Sequence, residues 1–282
     1  MTASRFYKMT GSGNDFVVLD ARTHAMDQWS PERIALVCDR RRGVGADGVV
    51  FVGPSEEPAR EGRPRAVRMA YFNADGSHAN MCGNAALCAT RLAVRLGLAD
   101  PERVVLETDA GWLESRCVGQ DWAAELLFPT AEIPIPIEIP LVAGERSAFQ
   151  GTVGVPHTVI VVADLETVDV AGRGRSLRFD PRFGLAGTNV NFVGPDRGQD
   201  ADWSLRTYER GVEGETLACG TGTIAAALAL AAGGACRMPV RIRSRSGLIY
   251  GVSGRIAGAT ADEVWLCGEG RLVFSGEFAA VE

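Results

Sequence analysis

The sequence predicts a mixed α/β (α+β) protein of two pseudo-symmetric domains, each a mostly antiparallel sheet wrapped around a central buried helix. Two stretches carry that expectation. In Tyr208–Gly234 a polar loop leads through Ala218-Cys219-Gly220-Thr221-Gly222 into the Ala/Leu run Ile224–Ala232, which Gly233-Gly234 closes. Phe72–Gly97 repeats the design: a polar loop, Cys82-Gly83, an Ala/Leu-rich run, and Gly97 at its end. A helix apolar on every side has to be enclosed by protein, and these runs are far too short to cross a membrane. The two cysteines lie about half of the 282-residue chain apart, which points to duplication of a whole domain and not to a short solenoid repeat. The third observation is the number of short strand-like runs around each helix.

Taken in order, Phe16–Asp20 and Gly48–Val52 read as strands, with Pro31–Arg42 as a helix between them and Arg40–Asp47 as the turn that ends it. Pro54–Pro64 is polar and proline-bearing, the pattern of a surface loop. Val67–Phe72 is a strand that delivers the first cysteine loop. Val104–Asp109 and Trp112–Val118 form a hairpin around Ala110-Gly111. The proline-rich stretch Phe128–Pro140 has the composition of a crossover between domains. In the second half Thr158–Ala163 and Asn189–Val193 are strand-like, and Ser204–Tyr208 leads to the second cysteine. Val240–Ser244, Leu248–Val252, Val264–Cys267 and Arg271–Phe278 follow as strands. The expected division is an N-terminal domain over 1–128, completed by 271–282, and a C-terminal domain over 129–270.

Composition narrows the function. With 46% hydrophobic and 23% charged residues the chain reads as a soluble globular protein long enough for two cores. A net charge of −6 disfavours nucleic acid or an anionic membrane surface as a partner. The first residues, MTASRFYKMTGSGNDF, contain no apolar signal-like run, so the expected location is the cytoplasm. Seven cysteines without metal-ligand or CxxC spacing read as reduced thiols. Cys38, Cys88, Cys117, Cys236 and Cys267 read as small buried residues. Lys8 is the only lysine, which disfavours chemistry that needs a Schiff-base lysine or a P-loop.

Cys82 and Cys219 are the candidate catalytic pair. A cysteine just before the first turn of a buried helix meets unpaired N–H groups and the positive dipole end, a setting that favours a thiolate. Either one alone would read as a structural cysteine. Two in matched contexts suit acid/base work on opposite faces of one carbon: one thiolate removes the Cα proton, and a thiol returns a proton from the other side.

Three blocks then carry a resemblance: Gly13-Asn14-Asp15-Phe16; Phe72-Asn73-Ala74-Asp75-Gly76-Ser77 with Cys82-Gly83-Asn84; and Glu209-Arg210-Gly211 with Ala218-Cys219-Gly220-Thr221-Gly222. In order and spacing they resemble the signature blocks of diaminopimelate epimerase. The resemblance implies two similar domains with the site between them, no cofactor, no metal and commonly a homodimer. It implies interconversion of LL- and meso-diaminopimelate, a step toward lysine and cell-wall precursors. By the same resemblance Cys82 and Cys219 are the acid/base pair, and His157 and Glu209 tune their titration. Asn14, Asn73, Gly83, Asn84, Asn189, Glu209, Arg210, Gly220 and Thr221 would hold the amino-acid substrate.

Physical chemistry fits those roles. Backbone N–H groups at the two helix starts suit the carboxylate of the reacting centre and the charge that develops as its proton leaves. Arg210 suits bidentate capture of a distal carboxylate. His157 reads equally as a structural histidine, Glu209-Arg210 as a surface pair, and Asn14, Asn73 and Asn189 as turn residues. The chain departs from the family pattern at Ala85 and Leu87, where the family usually has glycine and arginine, and at Val155, where many members place asparagine. Gly48 stands where some have glutamine. The alternatives are a racemase of another amino acid, proline racemase-like or histidine racemase-like, a thiol redox enzyme, and a binding module of the same fold. The proline racemase type shares Cys-Gly-Thr-Gly-Thr but typically has histidine where this chain has Asn84.

Overall fold

The computed structural model describes residues 4–56, 64–119 and 122–279. Most of the expected surface loop Pro54–Pro64 lies outside the described residues. The chain forms two compact units. One is drawn from the residues before Phe128 together with the segment from Cys267 on, the other from Phe128–Leu266.

The first unit runs β1 (Ser4–Gly11), β2 (Asn14–Asp20), α1 (Pro31–Cys38), β3 (Gly48–Pro54), β4 (Val67–Asn73), β5 (His78–Ala79), α2 (Gly83–Arg95), β6 (Val104–Thr108), β7 (Gly111–Cys117) and β8 (Ala123–Glu132). The following elements repeat this order. After β9 (Ile135–Pro136) come β10 (Glu145–Val153), β11 (Val155–Val162), α3 (Val170–Arg178), β12 (Asn189–Pro195), β13 (Trp203–Glu209), β14 (Gly214–Thr216), α4 (Gly220–Ala232), β15 (Val240–Arg243), β16 (Ile249–Ala257) and β17 (Thr260–Glu269). The last strand, β18 (Arg271–Phe278), pairs antiparallel with β1 and extends the first unit's sheet.

Pairing repeats as well as order. β1–β2, β3–β4 and β6–β7 are antiparallel, while β2–β3 and β4–β6 are parallel. In the second unit β10–β11, β12–β13 and β15–β16 are antiparallel, and β11–β12 and β13–β15 parallel. This is the internal duplication expected from the two cysteine loops. Each sheet curls around its central helix. α2 touches β1, β2, β3, β4, β6, β7 and β18, and α4 touches β10, β11, β12, β13, β15 and β16.

The reason lies in side-chain size. In α4, Gly222–Leu230 are all buried, and the small alanines let strands approach on every side while Ile224, Leu228 and Leu230 fill the remaining space. Each of those three contributes about 1.5–3 kcal/mol by leaving water. Strands such as FVVLD and GVVFV are apolar on both faces because both faces are covered. Val17, Leu19, Val49 and Phe51 pack outward with Trp29, Ile34 and Val37 around α1. The second unit matches this with Ile160, Val162, Val190 and Phe192 against Val170 and Leu177 of α3.

Three local expectations are corrected. α1 starts as expected, with Ser30 accepting from the Arg33 N–H and Pro31 in the first turn, but it ends at Cys38 and not at Arg42. Asp39 is extended, and its carboxylate accepts the backbone N–H groups of Arg41 and Arg42 at 2.8 Å each, which turns the chain out of the helix. Strand β8 continues to Glu132, into the stretch read as crossover. Of the five cysteines read as buried, Cys38 and Cys88 are, while Cys117, Cys236 and Cys267 are half-buried. No helix among the described residues is long and apolar enough to cross a membrane.

Candidate functional site

Each unit places one cysteine at the same point of its fold. Cys82 is the N-cap of α2 with φ −137° and ψ 121°, and Cys219 is the N-cap of α4 with φ −138° and ψ 105°. Neither side chain caps its helix. An N-cap normally spends its side chain on the first orphan N–H groups, and neither sulfur does so here. Both carbonyls do enter the helix, accepting from the Ala86 and Thr223 N–H groups at 2.9 Å.

In the first unit an amide chain leads away from the helix start. Asn84, buried in the first turn of α2, donates from Nδ2 to Asn14 Oδ1 at 2.8 Å. Asn14 Nδ2 donates in turn to Asp47 Oδ2 at 2.9 Å, and Arg40 donates to Asp47 Oδ1 at 2.8 Å. Arg40 also holds Asp15 at 2.6 Å, and Lys8, itself buried, donates to Asp15 and to the Gly45 carbonyl. Burial alone would raise the Asp15 carboxyl, but Arg40 and Lys8 more than offset it and hold its pKa at about 2. The chain's one lysine is thus committed to an internal ion pair. Asn73, at the end of β4, donates from Nδ2 to Ser77 Oγ at 3.0 Å across the turn that Gly76 closes with positive φ. Tyr71 lies beside Cys82: burial, and then the charge of that cysteine, push its phenol upward and keep it neutral.

In the second unit Cys219 is buried, with Sγ 3.7 Å from the Thr221 hydroxyl. Asn189 accepts the Arg210 backbone N–H at 2.7 Å, which fixes the turn presenting Arg210. Glu209 ends β13, and burial pushes its carboxyl upward. His157 is fully buried on β11, where it pairs in parallel register with Asn189. Burial and then the nearby Arg210 charge lower its pKa to about 3, against the opposing pull of the Val153 carbonyl. It is therefore neutral at physiological pH, and acts on its neighbours through hydrogen bonds and not through charge.

Within the first unit Asn14, Gly83 and Asn84 are brought together, and Asn73 sits separately on its turn. Within the second, Asn189 meets Arg210, Thr221 meets Cys219, and His157 lies near Arg210. Three residues not picked out from the sequence belong with them: Asp47, which holds Asn14, Asn191, whose amide nitrogen meets His157 Nδ1, and Thr207, which donates to Asn191. Asn191 was open to detection, because it follows Asn189 by two on a strand and so shares its face. The departures from the family pattern are also placed. Ala85 and Leu87 are fully buried within α2. Val155 heads β11 as Asn14 heads β2. A Cβ at Gly48 would lie 2.4 Å from the Phe72 carbonyl oxygen and 2.6 Å from the Tyr71 ring, so this chain has no room for a side chain there. Among the described residues no three His, Cys, Asp or Glu side chains gather as a metal site.

Comparison with known proteins agrees over nearly the whole chain. The sequence model of the family described as diaminopimelate epimerase matches residues 6–126 and 149–251. The chain is 42% identical to the diaminopimelate epimerase of Gemmatimonas aurantiaca, over 98% of this chain and 99% of that one. It is 38% identical to the diaminopimelate epimerase of Aquifex aeolicus, over 97% of each. Solved structures share the fold at low identity. A PhzF-family phenazine biosynthesis protein of Bacillus anthracis has a TM-score of 0.68 at 14% identity, covering 99% of this chain and 100% of that one. A probable proline racemase of Agrobacterium radiobacter K84, solved with bound carbonate, has 0.63 at 19%, covering 98% and 93%. With its matched N-cap cysteines, its repeated sheet-and-helix units and relatives of this identity along its full length, the chain belongs to the diaminopimelate epimerase family.

Proposed function

We propose that the protein epimerises diaminopimelate between its LL and meso forms without a cofactor, using Cys82 and Cys219 on opposite faces of the reacting Cα. The observation that carries this reading is the matched pair of uncapped N-cap cysteines, one at each central helix. In each direction one thiolate takes the Cα proton and becomes a thiol. The electron pair left on Cα delocalises into the adjoining carboxylate, and the other cysteine's S–H gives its proton to the opposite face and becomes a thiolate. Protons and charge balance, and the enzyme returns to its starting state by exchange of the two sulfur protons. A free thiol has a pKa of about 8.5, and a helix start lowers it, so either sulfur can hold either state.

In this reading the first-turn N–H groups at Gly83-Asn84 and Gly220-Thr221 hold the carboxylate beside the reacting carbon and the charge that develops on it. Asn14, Asn73, Asn189, Glu209 and Arg210 take the ammonium and carboxylate of the far end, and His157 and Glu209 tune the cysteines. The buried position of Ala85 and Leu87 supports retention of the substrate, because those departures fall in the core of the unit and not on its loops. The same reading carries with it a cytoplasmic homodimer.

The test is to supply LL-diaminopimelate and follow formation of the meso isomer, with lysine, histidine, glutamate and proline as competing substrates. A site built for a second charged end should reject one-headed amino acids by up to roughly 10⁴–10⁵-fold, because its polar groups are otherwise left unpaired. Faster turnover of a one-headed amino acid would overturn the substrate and leave the two-cysteine chemistry standing.

A further inference from the structure

Glu209 and Arg210 stand where β13 ends and a tight turn leads into β14. Glu209 pairs with Gly214 across the two strands, and the Glu213 N–H donates to the Glu209 carbonyl at 2.9 Å. Arg210 to Glu213 are thus left to reverse the chain, and two of them have positive φ, Gly211 at 91° and Glu213 at 57°. Glycine takes that conformation freely, but a residue with a side chain is disfavoured there and persists only when its surroundings fix it. At Glu213 the carboxylate is what is fixed. Its Oε1 accepts the Gly211 N–H at 3.1 Å and the Arg178 Nε–H at 3.2 Å, and it lies 3.0 Å from Arg178 Nη2.

Arg178 is the last residue of α3 and only 9% exposed. Its third guanidinium nitrogen, Nη1, donates to the Ala186 carbonyl at 3.0 Å. The approach is so close that a Cβ on Gly187 would lie 2.1 Å from that nitrogen. The rigid fork of one guanidinium therefore joins two stretches, the loop that enters β12 at Asn189 and the turn that leaves β13 at Arg210. The same stretches meet directly through the Arg210 N–H on Asn189 Oδ1 at 2.7 Å. We propose that Arg178 and Glu213 are positioning residues, which clamp the Glu209-Arg210 turn against Asn189 and so align the subsite for the far ammonium-carboxylate end of the substrate. The role of that subsite rests on the epimerase reading, but the clamp on the turn does not.

Glu213→Gly is the informative variant, because it removes the carboxylate and at the same time suits the left-handed backbone, so the fold should survive it. Amide hydrogen exchange of the ¹⁵N-labelled protein, without substrate, reads the clamp. The Arg210 and Gly211 N–H groups should be protected in the wild-type protein and exchange about tenfold faster or more in Glu213→Gly. Arg178→Lys, which loses the fork, should loosen the same two amides. Steady-state kinetics then read the subsite. In Glu213→Gly the KM for LL-diaminopimelate should rise about tenfold or more while kcat changes by less than about threefold, and Glu213→Gln, which keeps an oxygen for Gly211 and Arg178, should recover most of that loss. Unchanged exchange at Arg210 in Glu213→Gly would overturn the proposal, and so would a lowered Tm or faster exchange with an unchanged KM. If Arg178→Lys does not fold, Glu213→Gly decides it. Because exchange is read without substrate, a protein inactive on diaminopimelate overturns the functional reading separately and the exchange result still decides the clamp.

Discussion

Asn84, in the first turn of α2, and Asn14, at the head of β2, are joined by a hydrogen bond of 2.8 Å across 70 residues of sequence. Asp47 holds the other end of the Asn14 amide. Asn14→Ala therefore removes a proposed substrate contact and strips a buried amide of its acceptor. Each such loss is worth about 1–3 kcal/mol, so kcat/KM should fall by at least about tenfold. Asp47→Ala removes the acceptor of Asn14 Nδ2 but keeps the bond from Asn84, and should lower kcat/KM less than Asn14→Ala does. Steady-state kinetics on the two variants check the order. Equal activity of Asn14→Ala and wild type would remove Asn14 from the site.

Gly222→Ala sets two effects of opposite sign against each other. Alanine is favoured over glycine inside a helix by about 1 kcal/mol. The added methyl meets Asn191 Oδ1 at 2.3 Å, and Asn191 is held by three partners, so it cannot move aside cheaply. Overpacking costs about 1–3 kcal/mol and should win, giving a lower Tm. Gly83→Ala is the control for stability, since a Cβ there meets nothing within 4 Å. A Tm for Gly222→Ala at or above that of Gly83→Ala would show that the packing around Asn191 is looser than described.

The buried thiols should be inert. Burial pushes the Cys38 thiol up to about 11 and raises Cys88 well above the ordinary value, so almost no thiolate is present at neutral pH. Brief treatment of the folded protein with iodoacetamide near pH 7.5, followed by peptide mass analysis, should leave both unmodified. Alkylation of Cys88 at the rate of a free thiol would contradict its burial in α2.

Acid should loosen the first unit through Asp15. Its folded pKa of about 2 lies below the ordinary value of 3.8, so its contribution to stability is complete above about pH 4 and is lost as the pH falls through about 2. Asp15→Asn should therefore be less stable than wild type at pH 7, with the difference shrinking as the pH is lowered toward 2. Denaturant midpoints at pH 7, 4 and 2.5 measure this. A difference that does not shrink would assign the loss to packing around Lys8 and not to charge.

The central helices and their cysteines were legible because each follows a polar loop and consists almost wholly of small apolar residues, a pattern with few structural solutions. Helix α3 was not legible. Its sequence VAGRGRSLR contains two glycines and little apolar periodicity, and Gly174 is there for the fold, since a Cβ would come 2.5 Å from Tyr208 on β13. Strands β1 and β10 are not marked in the sequence because SRFYKMTG and ERSAFQGTV show neither a clean alternation of polar and apolar residues nor an apolar run. At the site, cysteine, asparagine and arginine positions could be named from their blocks, but what holds them could not. Lys8, Asp15, Arg40 and Asp47 come from three separate stretches, and only tertiary folding brings them together. Lys8 in particular could be read for what its solitude excludes and not for the ion pair it makes. The surroundings of His157 likewise come from other stretches, with Asn191 of β12 at its Nδ1 and the Arg210 charge nearby.

The most direct test of the account is the pair of single variants Cys82→Ser and Cys219→Ser, assayed for conversion of LL- to meso-diaminopimelate in deuterated water with deuterium incorporation at Cα followed alongside. If each sulfur serves one face, both variants lose epimerisation by orders of magnitude, because a serine hydroxyl is a poor base, and any residual exchange is confined to one face of the carbon in each. Epimerisation at near wild-type rate in either variant would contradict the two-cysteine mechanism.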